Sequence, residues 1–146
     1  MRPVVAVSLS IALLLLLGAR ARAGDEKTKA LEALSGDWRI KEIQGGKFDK
    51  VEKGKEPSLT FSGKEVVVKI AGMEETLKVE LDPSKKPAHM DFTPTSDSDR
   101  TVVGIYKLEK DKLTICVSAG ADKKRPDDFV LGGDSTRILV VLERVK

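Results

Sequence analysis

The sequence predicts an all-β domain, a small antiparallel up-and-down β-barrel of about eight strands with a short N-terminal helix. Three observations predict it. Short runs alternate apolar and charged residues with a period of two, most strictly Leu77, Val79 and Leu81 against Lys78, Glu80 and Asp82. The links between runs are brief and carry turn residues: Gly45-Gly46, Ser62-Gly63, Ala71-Gly72, Asp82-Pro83-Ser84, Glu109 to Asp111 and Gly132-Gly133-Asp134. A Gly36-Asp37-Trp38 opens the first run, and Arg144 stands in the last.

The elements follow in order. Residues 25–34 read as a short helix with Ala30, Leu31, Ala33 and Leu34 on one side. Trp38 and Ile40 then alternate with Arg39 and Lys41. Leu59 to Phe61 is a short run, followed by Val66, Val68 and Ile70, and then by the strict alternation through Leu81. The series continues with Ala88 to Thr93, Thr101 to Leu108, Leu113 to Val117, Phe129 to Leu131 and Ile138 to Val145. Strands and helices do not alternate, which argues against a nucleotide-binding α/β fold. The runs alone fit a barrel or a sandwich. Parity adds a constraint at the ends. If Val140 and Leu142 point inward, so does Arg144, and a buried guanidinium needs partners. The Trp38 indole and backbone carbonyls at a barrel floor would supply them.

Residues 1–23 have the layout of a secretory signal peptide: Arg2 near the start, an apolar run from Val4 to Gly18, and Ala21-Arg22-Ala23 as cleavage site. The apolar run is shorter than the roughly 20 residues of a spanning helix. The mature protein is then a single domain over 24–146 with no membrane span, exported to the periplasm or beyond the cell. Of the 26 Lys and Arg, Arg2, Arg20 and Arg22 leave with this segment, so 23 bases face 23 acids. A neutral mature chain argues against nucleic acid as a partner. Cys116 is the only cysteine, so no intrachain disulfide forms. It reads as a small buried apolar residue.

A longer series of short strings carries a resemblance. It begins with L-x-G-x-W (Leu34, Gly36, Trp38), L-T-F-x-G (Leu59 to Gly63) and L-D-P-S-K-K-P-x-x-x-D (Leu81 to Asp91). It goes on with G-I-Y-x-L (Gly104 to Leu108), L-x-I-C (Leu113 to Cys116), R-P-x-x-F (Arg125, Pro126, Phe129) and a final L-x-R ending at Arg144. In this order, behind a signal peptide, the chain resembles a planctomycete-type secreted domain of unknown function described as lipocalin-like. The resemblance covers nearly all of 24–146. It implies the barrel fold and export, with Gly36, Trp38, Arg125, Pro126, Phe129 and Arg144 as a structural signature. It implies no activity and no catalytic residue.

The residues that carry chemistry point the same way. His89 is the only histidine, which excludes sites that need two or three. It shares a strand face with Asp91, which could orient the ring, yet no G-x-S-x-G nucleophile elbow accompanies it. Asp97-Ser98-Asp99 lacks the remaining ligands of a calcium loop. Lys123-Lys124-Arg125 is balanced by Asp127 and Asp128. Pro126 is expected to set a turn and Phe129 to anchor the 118–128 loop into the core. No cofactor, metal or catalytic residue is expected. The function that follows is a non-enzymatic binding module for a small apolar or amphipathic ligand. The alternative is a cell-envelope protein-interaction domain with a filled barrel, and a hydrolase comes last. Strands of about seven residues, near 23 Å at roughly 3.3 Å each, leave little free volume. A mostly filled interior with any ligand at one mouth is therefore expected.

Overall fold

A computed structural model describes residues 24–45, 57–70, 72–118, 124–131 and 136–146. The expected signal peptide (1–23), Phe48 and the Gly132-Gly133 turn lie outside them. Helix α1 covers 24–34. Eight strands follow: β1 (Gly36–Gln44), β2 (Ser58–Ser62), β3 (Glu65–Ile70), β4 (Met73–Asp82), β5 (Ala88–Pro94), β6 (Val102–Glu109), β7 (Lys112–Ser118) and β8 (Arg137–Arg144). Each pairs antiparallel with the next, and β8 pairs with β1, so the sheet is a closed up-and-down barrel. Closure leaves no strand edge among them unpaired. No described helix is long and apolar enough to cross a membrane.

The period of two assigns every strand an inner face. Leu77, Val79 and Leu81 point into the bore, as do Met90 and Phe92 opposite them. One irregularity resets this pattern. The β1–β8 register shifts between Ile40 and Glu42, so Lys41 is an extra residue. A bulge of this kind sharpens the local twist, which helps a sheet to close. It also changes parity: Trp38 and Ile40 face inward, and beyond the bulge Ile43 does, opposite Val140. Gly45 ends β1 at φ 89°, where a Cβ would lie 2.4 Å from the Arg137 carbonyl oxygen. Only glycine lets β1 approach β8 so closely there.

Two expectations are corrected. Phe129 to Leu131 is not a strand. The Asp128 carboxylate accepts the Val130 N–H, and Arg137 donates to the Val130 carbonyl at 2.7 Å, so side chains take the place of a ladder. Ala33 is exposed, so the buried side of α1 consists of Leu34 with Ala30 and Leu31.

The two ends of the barrel differ. At one end α1 presses Leu34 against the bore, and Leu34 and Trp38 are both 0% exposed. The last carbonyls of a helix have no intrahelical partner. Here the Trp38 indole N–H donates to the Leu34 carbonyl at 2.8 Å. The Arg144 guanidinium donates to the carbonyls of Ala33 at 2.7 Å and Ser35 at 3.0 Å. It stacks 4.3 Å from the indole centroid, and its Nε lies 3.3 Å from Asp111. Gly36, at φ 118°, turns the chain from helix to strand directly beneath Arg144, whose Nη1 would lie 3.8 Å from a Cβ. We call this end the floor. Phe61, Val66, Met90, Tyr106, Leu113 and Leu142 fill the bore with it.

Replacement of Arg144 by Met keeps most of the stacking area and removes the carbonyl and carboxylate bonds. The expected loss is about 2–4 kcal/mol, or roughly 10 °C in Tm for a domain of this size. Thermal denaturation followed by Trp38 fluorescence checks it, and an unchanged midpoint would show that the floor does not depend on the guanidinium.

Candidate functional site

At the end away from Trp38 the inward side chains are only partly covered. Ile43, Val68, Leu77, Val102, Val117 and Val140 are half-buried there, whereas Trp38, Val66, Leu113 and Leu142 near the floor are fully buried. Together with Ile40, Leu59, Ile70, Phe92, Ile115 and Ile138 these six half-buried residues wall a well of about 200 Å³. β1, β3, β7 and β8 give it two side chains each, and β2, β4, β5 and β6 give one each. Alternation puts eleven of the twelve there, each an even number of residues from a floor residue on its strand, and the Lys41 bulge brings in Ile43. The lining is hydrocarbon throughout. The well can bury apolar surface, but it offers no hydrogen bond, acid, base or nucleophile to a molecule inside it.

A second recess, of about 580 Å³, lies against α1 and is lined by Lys27, Lys64, Glu80, Asp82, His89, Asp91 and Arg125 among others. Its character is set by segment 124–131, which runs over the outside of the barrel. Arg125 makes a bidentate bond to Asp91, at 2.5 and 3.1 Å, and donates to the Gly104 carbonyl at 2.8 Å. Pro126 is buried. Phe129 is half-buried, with the Lys107 ammonium 5.1 Å from its ring centroid. Further on, Arg137 donates to Asp128 at 2.9 Å and pairs with Asp127 at 3.3 Å. Phe129 therefore packs on the outer wall, which corrects the expectation that it enters the core. Lys107 and its outward neighbours on β6 and β7 are the reason: Ile105 and Cys116 face outward by register and are nevertheless 1% and 0% exposed. The segment is fastened beside this apolar patch, by Arg125 on the Gly104 carbonyl and by Phe129 against Lys107.

Chemistry at His89 is limited by the same contacts. His89 and Asp91 share the outer face of β5, but both Asp91 oxygens are bonded to Arg125. Burial and the nearby Arg125 charge lower the His89 pKa from its ordinary value. The Asp97 carboxylate accepts the Asp99 N–H at 3.1 Å, closing its own turn rather than forming a cation loop. Among the described residues no group of three or more His, Cys, Asp or Glu side chains is placed to hold a metal. The signature residues thus fall into two clusters. Gly36, Trp38 and Arg144 build the floor, and Arg125, Pro126 and Phe129 fasten the outer segment. Neither cluster lines the well, which sequence reading did not pick out residue by residue. The signal for it was present in the apolar positions at strand ends and was masked by the Lys41 bulge.

The fold and the well define a lipocalin-like barrel, closed at one end by a tryptophan–arginine floor and apolar at the other. No protein-family model, curated protein or solved structure matches the chain.

The His89 shift gives a pH dependence with a definite sign. The unfolded chain protonates His89 at a higher pH than the folded chain does. Acidification through the ordinary histidine range therefore lowers stability, and the slope vanishes once both forms are protonated. Arg125→Ala removes the repelling charge and frees Asp91, so the His89 pKa rises. An imidazole NMR titration reads this directly. The same variant loses about 2 kcal/mol of stability, because a charge-assisted bidentate bond is broken.

Proposed function

We propose that this protein is an exported, non-enzymatic binding module that takes one small apolar or amphipathic molecule in the well opposite the Trp38 floor. The hydrocarbon lining of that well carries the reading. A cavity of about 150 Å³ is enough to hold a benzene-sized molecule in a protein interior. At about 200 Å³ the well suits a ligand, or a ligand segment, of roughly eight carbons. Larger small-molecule sites run from about 300 Å³ upward. The non-enzymatic part rests on the same lining, since hydrocarbon walls supply no group that could move a proton or attack a bond. Export rests on the order Arg2, apolar run, Ala21-Arg22-Ala23.

The experiment is calorimetric. 1-Octanol is expected to bind at one site with a negative heat-capacity change, the marker of buried apolar surface. Val68→Phe projects a ring into the well and is expected to weaken octanol at least about tenfold, because a closely packed wall cannot recede. Native mass spectrometry of protein from its own host then looks for a resident molecule. No octanol heat, together with a fully empty protein from the host, would rule the reading out.

A further inference from the structure

Among the described residues the well has one charged neighbour on the inner face. Glu75 pairs with Val68 across the β3–β4 ladder, in register with no irregularity. Val68 lines the well, as does Leu77, two residues further along β4. Alternation therefore puts Glu75 on the inner face, one step above the hydrocarbon wall, where it is exposed. The other acids and bases of this ladder face outward in opposed pairs, Lys69 with Glu74 and Lys78 with Glu65. Among the described strand residues only Glu75, Tyr106 and Arg144 are ionisable and inward-facing. Tyr106 is buried in the bore, and Arg144 belongs to the floor. Glu75 is thus the one inward charge at the mouth among the described residues. The neighbouring β5–β6 link adds Asp97, Asp99 and Arg100, two acids against one base.

Resting on the reading above, we propose that the well selects an amphipathic cation: an alkyl chain of about eight carbons inserted tail-first, with an ammonium head held at the mouth by Glu75. The orientation follows from the lining. A polar head at the bottom of the well would meet no partner, whereas at the mouth it keeps water and gains a carboxylate. The sign follows from Glu75. An alkyl carboxylate of the same length has the same tail but brings a like charge to the same position.

The test compares three probes of one chain length, n-octylammonium, 1-octanol and n-octanoate, by calorimetry at neutral pH and low salt. The ammonium is expected to bind about tenfold tighter than the carboxylate, with the alcohol between them, and added salt narrows the gap. Glu75→Gln is expected to collapse the ammonium-to-carboxylate ratio to within about twofold, because it removes the charge and keeps the shape. Glu74→Gln removes the same charge from the outer face and is expected to keep the ratio. Equal binding of the two ions, tighter binding of octanoate, or equal effects of Glu74→Gln and Glu75→Gln would overturn the charge selection. In each of those cases octanol binding that Val68→Phe abolishes leaves the apolar-well reading standing. If none of the three probes binds, this proposal falls, and the well reading falls with it once protein from the host also proves empty.

Discussion

The last turn of α1 presents carbonyls that the helix itself cannot satisfy, and the closure of the barrel depends on where those carbonyls go. The Trp38 indole takes Leu34, and the Arg144 guanidinium takes Ala33 and Ser35 while lying flat on the indole. Each partner answers a need of the other. The indole N–H would be orphaned in the bore without a carbonyl. The guanidinium would be an uncompensated charge there without the carbonyls, the ring and Asp111. These contacts join the beginning of the domain to its end. The Arg144 N–H also bonds to the Asp111 carbonyl, and the Val145 N–H to that of Asp37, so β8 is fixed against β1 and against the β6–β7 turn. A barrel whose floor is fastened in this way needs no disulfide, which suits a chain with a single, buried cysteine.

The rest of the architecture can be read outward from that end. Near the floor, large side chains converge and no space is left. Towards the other end the inner side chains are mostly Val, Ile and Leu, and they do not meet across the bore. The barrel is thus packed at one end and hollow at the other. The polar interactions follow the same division. Arg144, Arg125 and Arg137 each hold irregular backbone against the barrel, at the floor or on the outer wall. None of the three lines the well. Positive charge here fastens the chain, and the well is left to hydrocarbon, with one carboxylate above its wall.

Much of this fold was legible in the sequence because the bore imposes a simple rule. One face of every strand must be apolar, so a period of two in Leu77 to Asp82 reveals the strand, and parity along Ile138 to Arg144 reveals that the arginine points inward. The same rule failed where geometry broke the period. Lys41 adds a residue to β1, and no local pattern announces that Ile43 rather than Glu42 faces the well. Phe129 to Leu131 has the composition of a strand but lies on the outer wall, where Asp128 and Arg137 bond its backbone. Apolar content signals burial; it does not say which side of a sheet does the burying.

By itself the sequence determined the class of fold, the number of strands to within one, and the pairing of Trp38 with Arg144. Each of these is a consequence of alternation and of the need to satisfy an inward-facing charge, and both can be read from short stretches of chain. The tertiary structure decided the rest. Barrel closure set the register that brings twelve residues from eight strands around one well. It placed Glu75 above that well and Glu74 outside it. It also fastened residues 124–131 to the outer wall, through Arg125 on Asp91 and on the Gly104 carbonyl. These are relations between residues far apart in the chain, and a one-residue change of register would exchange the inner and outer faces of a strand while leaving every local pattern intact.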